Sequence, residues 1–339
     1  MNKRTGFSVV DLSALIALFT ILVVLILPAV QDWREQARNR ICTFRLGAIG
    51  TGAQNYENSF ERLPSCLGAR GAVEFSEWLN SGSTNYWGSK QYASPLAMID
   101  FARGNLDIDP VFVDFDTYEI SPQFWLIPNW QTLAEEERAR YRCPSDQLDP
   151  LVATNTTLAI QPTHQGVLSQ DSLGTLFGAT GTNWAYTNYV GCMGAGTGGS
   201  QRAGAVSNGI WTYRGMITSR ETMTSCFVSD ADGLSNTIMF GENIGSIETT
   251  PFGTEVTIRQ SWINGALGRG RGNAGWMSNG DEQNRLIGIP SSASGYGFGS
   301  AHRFGTGFVM GDGSIRRLTN RIDWQTFYEL CGAFDTWDF

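Results

Sequence analysis

The 339 residues carry a net charge of −8, with 42% hydrophobic and 17% charged side chains. A chain this long and this apolar can bury a sizeable core, which excludes a disordered polymer, and an acidic balance without any long basic run excludes nucleic acid as a partner. Forty Gly beside 19 Phe and 11 Trp point to turn-rich β structure with aromatics wedged into the core, not to a helical bundle.

The chain opens on RTGFSVVDLSALIALFTILVVLILPAVQDW, residues 4–33. From Leu12 to Val30 it is apolar except for Ser13, Thr20 and Pro28. As a helix, these residues span roughly 28 Å, about one hydrocarbon core. Lys3 and Arg4 precede the run and favour a cytoplasmic N-terminus, although Arg34, Arg38, Arg40 and Arg45 on the other side weaken the asymmetry. A cleaved secretory signal with a cut after Ala29 and a plain signal anchor are two readings of this segment. Neither gives Asp11 a role: a carboxylate at the bilayer centre costs roughly 2.5–3.5 kcal/mol, unless Asp11 sits at the membrane surface and needs no partner.

Beyond Pro28, which is expected to kink or locally melt the helix, Cys42, Leu46, Ile49, Ala53, Tyr56 and Phe60 recur at helical spacing. They form one apolar face, opposite Arg38, Arg45 and Glu57. Gly47, Gly50 and Gly52 weaken this half by roughly 0.8–1 kcal/mol each, so tertiary packing must hold it. Pro64 is the stop. One helix of about 50 residues is expected to link membrane and globular part.

From residue 65 onward, short apolar runs alternate with Gly, Asn, Ser and Asp. VFVDF, NTIMFGENI, TEVTIRQSWI and GFVMGDGSIRRL read as strands. TLAEEERARYRC reads as a helix with Thr132 as N-cap and Glu135 completing a capping box. RIDWQTFYELCG reads as a last short helix ending at Gly332. The Gly-rich stretch 191–204 reads as a loop and lacks the G-K-[ST] of a phosphate-binding loop. The fold class expected is α+β, with an antiparallel sheet packed on the amphipathic half of the long helix and an irregular β-rich elaboration around it. No boundary inside 63–339 marks a second domain.

Six cysteines are present: Cys42, Cys66, Cys143, Cys192, Cys226 and Cys331. Their wide spacing and the lack of any C-x-x-C argue against a zinc site. Behind an export-type N-terminus an even count favours disulfides, with buried free thiols as the alternative. Cys42–Cys66 is the pairing expected, pinning the helix to the loop after it, although six cysteines allow 15 connectivities.

The N-terminus resembles that of type IV prepilins. These have a short basic leader ending in Gly, then an aromatic residue, an acidic residue five along, and a long apolar helix. Here MNKRTG ends at Gly6, Phe7 follows, and Asp11 takes the acidic place where Glu is usual. Pro28 stands where a helix-kinking proline is common. Three further segments, YRCPSD (141–146), DGLSNTIMFGE (232–242) and SAHRFGTGFVMGDGS (300–314), extend the resemblance to a bacterial pilin-like and pseudopilin-like family with an N-terminal methylation motif and a C-terminal H-x9-DG motif. Gly307 departs from the Asn frequent there.

The resemblance implies residues 1–6 as leader, 7–30 as the transmembrane and assembly helix, 31–62 as its amphipathic continuation and 63–339 as an exported globular domain. It implies cleavage between Gly6 and Phe7 by a prepilin peptidase and pairing of Asp11 with the Phe7 amine of a neighbouring subunit. It also implies a single pass in the inner membrane before assembly with like or related pilin subunits, and a globular part in the periplasm or at the cell surface. The alternative is a membrane-anchored exported binding or enzymatic protein that uses the same anchor.

The motif residues read as structural. The GDGS turn is expected to be a hairpin with Gly311 and Gly313 at positive φ, Asp312 bonding nearby backbone, and His302 on the strand leading in. No nucleophile stands out beside the two histidines, His164 and His302, so catalysis is not expected. No cofactor is expected either. Asp230, Asp232 and Glu242 offer hard oxygens for Ca2+, as in some pseudopilins, but without EF-hand spacing. The aromatics of 77–95 and 123–130 read as core under long loops, with a binding surface for sugar or a neighbouring subunit as the alternative.

Overall fold

The structure, a computed structural model, describes residues 9–64, 94–105, 113–114, 119–120, 130–146, 156–158, 185–195, 213–217, 223–249, 255–262, 267–270, 287–288, 297–303, 305–319 and 321–333. The first element, α1 (Val9–Phe60), is a single helix of 52 residues. It runs on through Pro28, so the expected local melting does not occur there. Every residue from Val9 to Gln31 is exposed. Its hydroxyl side chains are answered within the helix: that of Ser13 donates to the Val10 carbonyl at 2.9 Å and that of Thr20 to Ile16 at 2.8 Å. An apolar helix whose backbone and hydroxyls are satisfied internally is what a bilayer tolerates.

Burial on α1 begins at Cys42 and continues through Leu46, Ile49, Ala53 and Tyr56, the face that the spacing predicts. The helix stops after Phe60, where Glu61 adopts a left-handed φ of 56° ahead of Pro64.

This half of α1 lies on a six-stranded sheet. Its strands are β1 (Tyr189–Ala195), β2 (Tyr213–Arg214), β3 (Ile238–Glu242), β4 (Leu267–Gly270), β5 (Thr306–Met310) and β6 (Ile315–Leu318). They run in the order β4-β1-β3-β5-β6, with β2 paired to β1. The four neighbours β1, β3, β5 and β6 are antiparallel throughout, and β4 joins the edge in parallel. The glycines that weaken α1 as a helix permit its close contacts, Gly50 with this sheet and Gly52 with the helix Pro95–Ala102. A Cβ on Gly50 would stand 2.7 Å from Val309 Cγ2, and one on Gly52 would stand 2.6 Å from Ile99 Cγ2.

Alternation along β5 splits the core. Val309 packs with Leu46, Ile49, Met239 and Tyr189 on the α1 side. Phe308 and Met310 face the other way, onto Phe298, Phe327 and Tyr328. The latter two belong to a short helix, Trp324–Cys331, capped by the Asp323 carboxylate and ended at Gly332 as expected. The arrangement is therefore α+β, with the sheet held between the long helix and this C-terminal one.

Three local expectations are corrected. The segment at 132–143 is not one helix: it forms a helix over Trp130–Glu135 and a 3-10 turn over Ala139–Tyr141, so Thr132 lies inside the first helix and is not its cap. Residues 191–195 are not loop but the end of β1, while 196–204 lie outside the described residues. In the hairpin between β5 and β6 only Gly313 has positive φ (82°), and Gly311 does not. Gly311 is small because a Cβ there would come within 3.0 Å of the Leu234 carbonyl oxygen and Met216 Sδ.

Candidate functional site: a cysteine-histidine-glutamate centre

Where α1 enters the globular part, side chains from four distant segments converge. Glu35 and Cys42, seven residues apart, project from one side of α1. Cys143 and Ser145 come from the CPSD turn, Glu242 from the end of β3, and His302 from the bend before β5.

The CPSD turn is fixed by Asn188, just ahead of β1. The Cys143 N–H donates to Asn188 Oδ1 at 2.8 Å. Asn188 Nδ2 donates to the Asp146 carboxylate at 2.6 Å and to the Asn243 carbonyl at 3.2 Å. One buried amide thus joins the turn to the end of β3. A side chain with donors and an acceptor on one plane is suited to that task.

His302 is the centre's hub. Its side chain is wholly buried, Nδ1 lies 2.6 Å from Glu35 Oε1, and Nε2 lies 3.3 Å from Cys143 Sγ and 4.0 Å from Glu242 Oε1. The Ser145 hydroxyl donates to the Glu35 carboxylate at 2.9 Å. Cys42 Sγ lies 2.9 Å from Cys143 Sγ. Glu242 accepts from the Gly307 N–H at 2.9 Å through Oε2, while its buried Oε1 accepts no hydrogen bond among the described residues and has Arg317 Nη2 4.0 Å away. Arg317 in turn bonds the Gly305 carbonyl and Asn39 of α1.

The charges follow from this packing. Burial pulls the His302 pKa down, but Cys143, Glu242 and Glu35 outweigh it and push it up to about 9. Burial acts to raise Glu35, yet the His302 and Ser145 hydrogen bonds and Arg38 outweigh it and hold the carboxyl below its ordinary value. Glu242 is raised by burial, against the pull of Arg317 and the Gly307 N–H. Contact with Cys42 and with His302 lowers the Cys143 thiol, while the same contact and burial raise Cys42.

By distance, Cys143, His302 and Glu35 are disposed as nucleophile, base and orienting carboxylate. Yet Cys143 is only 4% exposed and the Cys42 thiol rests on its sulfur. The ligand atoms of Cys42, Cys143 and His302 lie within 4.8 Å of one another, a set that offers two sulfurs and an imidazole to a soft metal ion.

The sequence-predicted residues are distributed differently from expectation. His302 is not on a strand and does not bond within the hairpin; it and Asp312 lie at opposite ends of β5. Asp312 is exposed, and its carboxylate accepts from the Ser314 N–H at 2.8 Å, holding the turn. Asp230 and Asp232 lie before β3 and Glu242 at its far end, so these three do not meet at one Ca2+ centre. Cys192 and Cys331 are buried in the core behind the sheet, and Cys226 is exposed on a short helix; Cys192 and Cys226, like Cys42 and Cys143, carry thiols. Gly6, Phe7, Cys66 and nearly all of the aromatic segments 77–95 and 123–130 lie outside the described residues. Glu35 carries no signal in the sequence that marks it as a site residue, because its partners Ser145 and His302 lie far along the chain.

These features define an α+β protein on a long helix, exposed and apolar over its first half, with a buried cysteine-histidine-glutamate centre where its second half meets the sheet. The chain belongs to the family described as protein of unknown function (DUF1559), whose model matches residues 31–325. No curated protein and no solved structure matches it.

Proposed function

We propose that the protein is a type IV pilin-like or pseudopilin-like structural subunit. A prepilin peptidase cuts it after Gly6, the inner membrane holds it by α1, and like or related subunits assemble with it through that helix into a surface filament or secretion pseudopilus. The globular part is then exported to the periplasm or cell surface. The observation that supports this reading is the division of α1: 23 residues from Val9 to Gln31 are exposed and largely apolar, and the same helix continues into the core of the sheet. A free apolar half suits both a bilayer and a bundle of identical helices.

The chain acts in this reading without turnover or cofactor. A second reading, an anchored exported enzyme, is favoured by the Cys143–His302–Glu35 distances. Burial of both Cys143 and His302 weighs against it.

Mass spectrometry of the N-terminal peptide from native membranes tests the proposal. A chain that starts at Phe7, and that electron microscopy with a specific antibody places in sheared surface filaments, is the expected result. A start at Val30 would mean a signal peptide, and an intact Met1 an unprocessed anchor; either overturns it.

A further inference from the structure

We propose that Cys42 and Cys143 are joined as a disulfide in the exported protein, a covalent staple at the level where the free half of α1 enters the globular part. For its occurrence in cells this rests on the export contained in the proposed function. The pairing itself stands on geometry.

The two sulfurs are 2.9 Å apart. Thiolates sharing one tetrahedral zinc, with bonds of about 2.3 Å, would stand about 3.7 Å apart. The observed approach is closer than that and lies on the way to the roughly 2.0 Å of a disulfide bond. Both residues are held in place, Cys42 on the buried face of α1 and Cys143 by the bond from its backbone N–H to the Asn188 amide oxygen. Both are also enclosed, at 0% and 4% exposure. Cys42 is the first buried residue along α1. A bond there passes any load on the exposed half of the helix directly to the CPSD turn and, through Asn188 and Asn243, to the end of β3.

The chemistry is thiol–disulfide exchange with a disulfide donor of the oxidising compartment. The Cys143 thiolate, beside His302 Nε2 at 3.3 Å, attacks one donor sulfur and displaces the other. The Cys42 sulfur then attacks the Cys143 sulfur of the mixed disulfide and releases the second donor thiol. Two thiols of this chain are oxidised, one donor disulfide is reduced to two thiols, and the two protons leave on the donor's sulfurs. Exchange occurs as α1 docks, before the core closes over the sulfurs.

The test uses full-length chain made in a reducing cytoplasm and purified in detergent. It is incubated with oxidised glutathione in mild urea, so that the centre opens and recloses, then alkylated and digested without reduction. The expected result is a Cys42 peptide linked to a Cys143 peptide, absent from both Cys42→Ser and Cys143→Ser, with a wild-type Tm roughly 5–10 °C above that of either variant. Cys42 linked to another cysteine such as Cys66, or both thiols alkylated, would overturn the pairing. So would one zinc per reduced chain that is lost in Cys42→Ser and blocks oxidation. The same map on protein from native membranes separates the two proposals: free thiols there, with the link formed in glutathione, count against export and leave the pairing standing.

Discussion

Glu35 and His302 meet at 2.6 Å although 267 positions separate them in the chain. The contact joins α1, just past its exposed apolar half, to the bend that leads into β5. It places a carboxylate held in its charged form beside an imidazole held in its own.

Replacing Glu35 with Gln leaves the buried imidazolium with a neutral partner. A hydrogen bond to a charged group contributes about 1.5–3 kcal/mol, so Glu35→Gln should lower stability by roughly that amount in urea unfolding of the full-length chain in detergent. Arg38→Ala should cost under about 0.5 kcal/mol, because that ion pair with Glu35 is longer, at 3.5 Å, and partly exposed. Equal effects from the two would contradict this view of the centre.

The His302 contribution depends on pH in a definite direction. Its folded pKa of about 9 lies above the ordinary 6.5, so the stability it supplies is whole below pH 6.5 and is lost as pH rises through 9. Glu35 works the other way: its contribution is present above 4.5 and is lost as pH falls through its lowered value. Glu242, raised by burial, costs stability when ionised, a cost that acid removes. The Cys143 thiol, lowered by Cys42 and His302, gains stability over the same range and opposes this in the reduced wild type, so the readout is a difference: the stability deficit of His302→Gln relative to wild type should shrink by on the order of 1–3 kcal/mol between pH 6.5 and 9. NMR titration reads the group directly, since only His164 and His302 give imidazole signals. Two midpoints near 6.5 would refute the shift.

Gly50→Ala sets helix propensity against packing. Alanine should gain about 0.8–1 kcal/mol in a helix, but its Cβ would stand 2.7 Å from Val309 Cγ2, and overpacking a core costs about 1–3 kcal/mol. The expected outcome in thermal unfolding is a net loss of about 1 kcal/mol. A stabilised variant would show that α1 and β5 can separate freely.

The hairpin residues should differ from each other. Asp312 is exposed and holds one turn bond, so Asp312→Ala should cost about 0.5–1 kcal/mol. Gly313 has a φ of 82°, where a side chain costs roughly 1–2 kcal/mol, so Gly313→Ala should be the worse variant in the same melt. The reverse order would refute the turn geometry.

Asp11 lies exposed in the first turn of α1. If it pairs with the Phe7 amine of a neighbour, Asp11→Ala should leave membrane insertion and leader cleavage intact. It should remove the chain from sheared filaments, since breaking one half of a buried pair costs about 3–5 kcal/mol. Asp11→Glu should assemble and Asp11→Asn should not. Equal filament yield from Asp11→Ala and wild type would end the pairing argument.

What the sequence determined by itself is local. Apolarity from Leu12 to Val30 and the 3.6-residue recurrence from Cys42 to Tyr56 depend only on neighbours along one helix, so α1 and its division were legible. The GDGS hairpin and the C-terminal helix with its Gly332 end were legible for the same reason: turn and cap chemistry acts within a few residues. The centre was not. Cys42 and Cys143 are 101 positions apart, and Cys143 and His302 are 159. Their meeting depends on the strand order β4-β1-β3-β5-β6, which no local pattern encodes. Tertiary structure alone brought His302 away from the hairpin and onto Glu35 and Cys143. It also buried Glu242 and gave Cys42 a sulfur partner, because burial and charge pairing are properties of surfaces that come together only when the chain is folded.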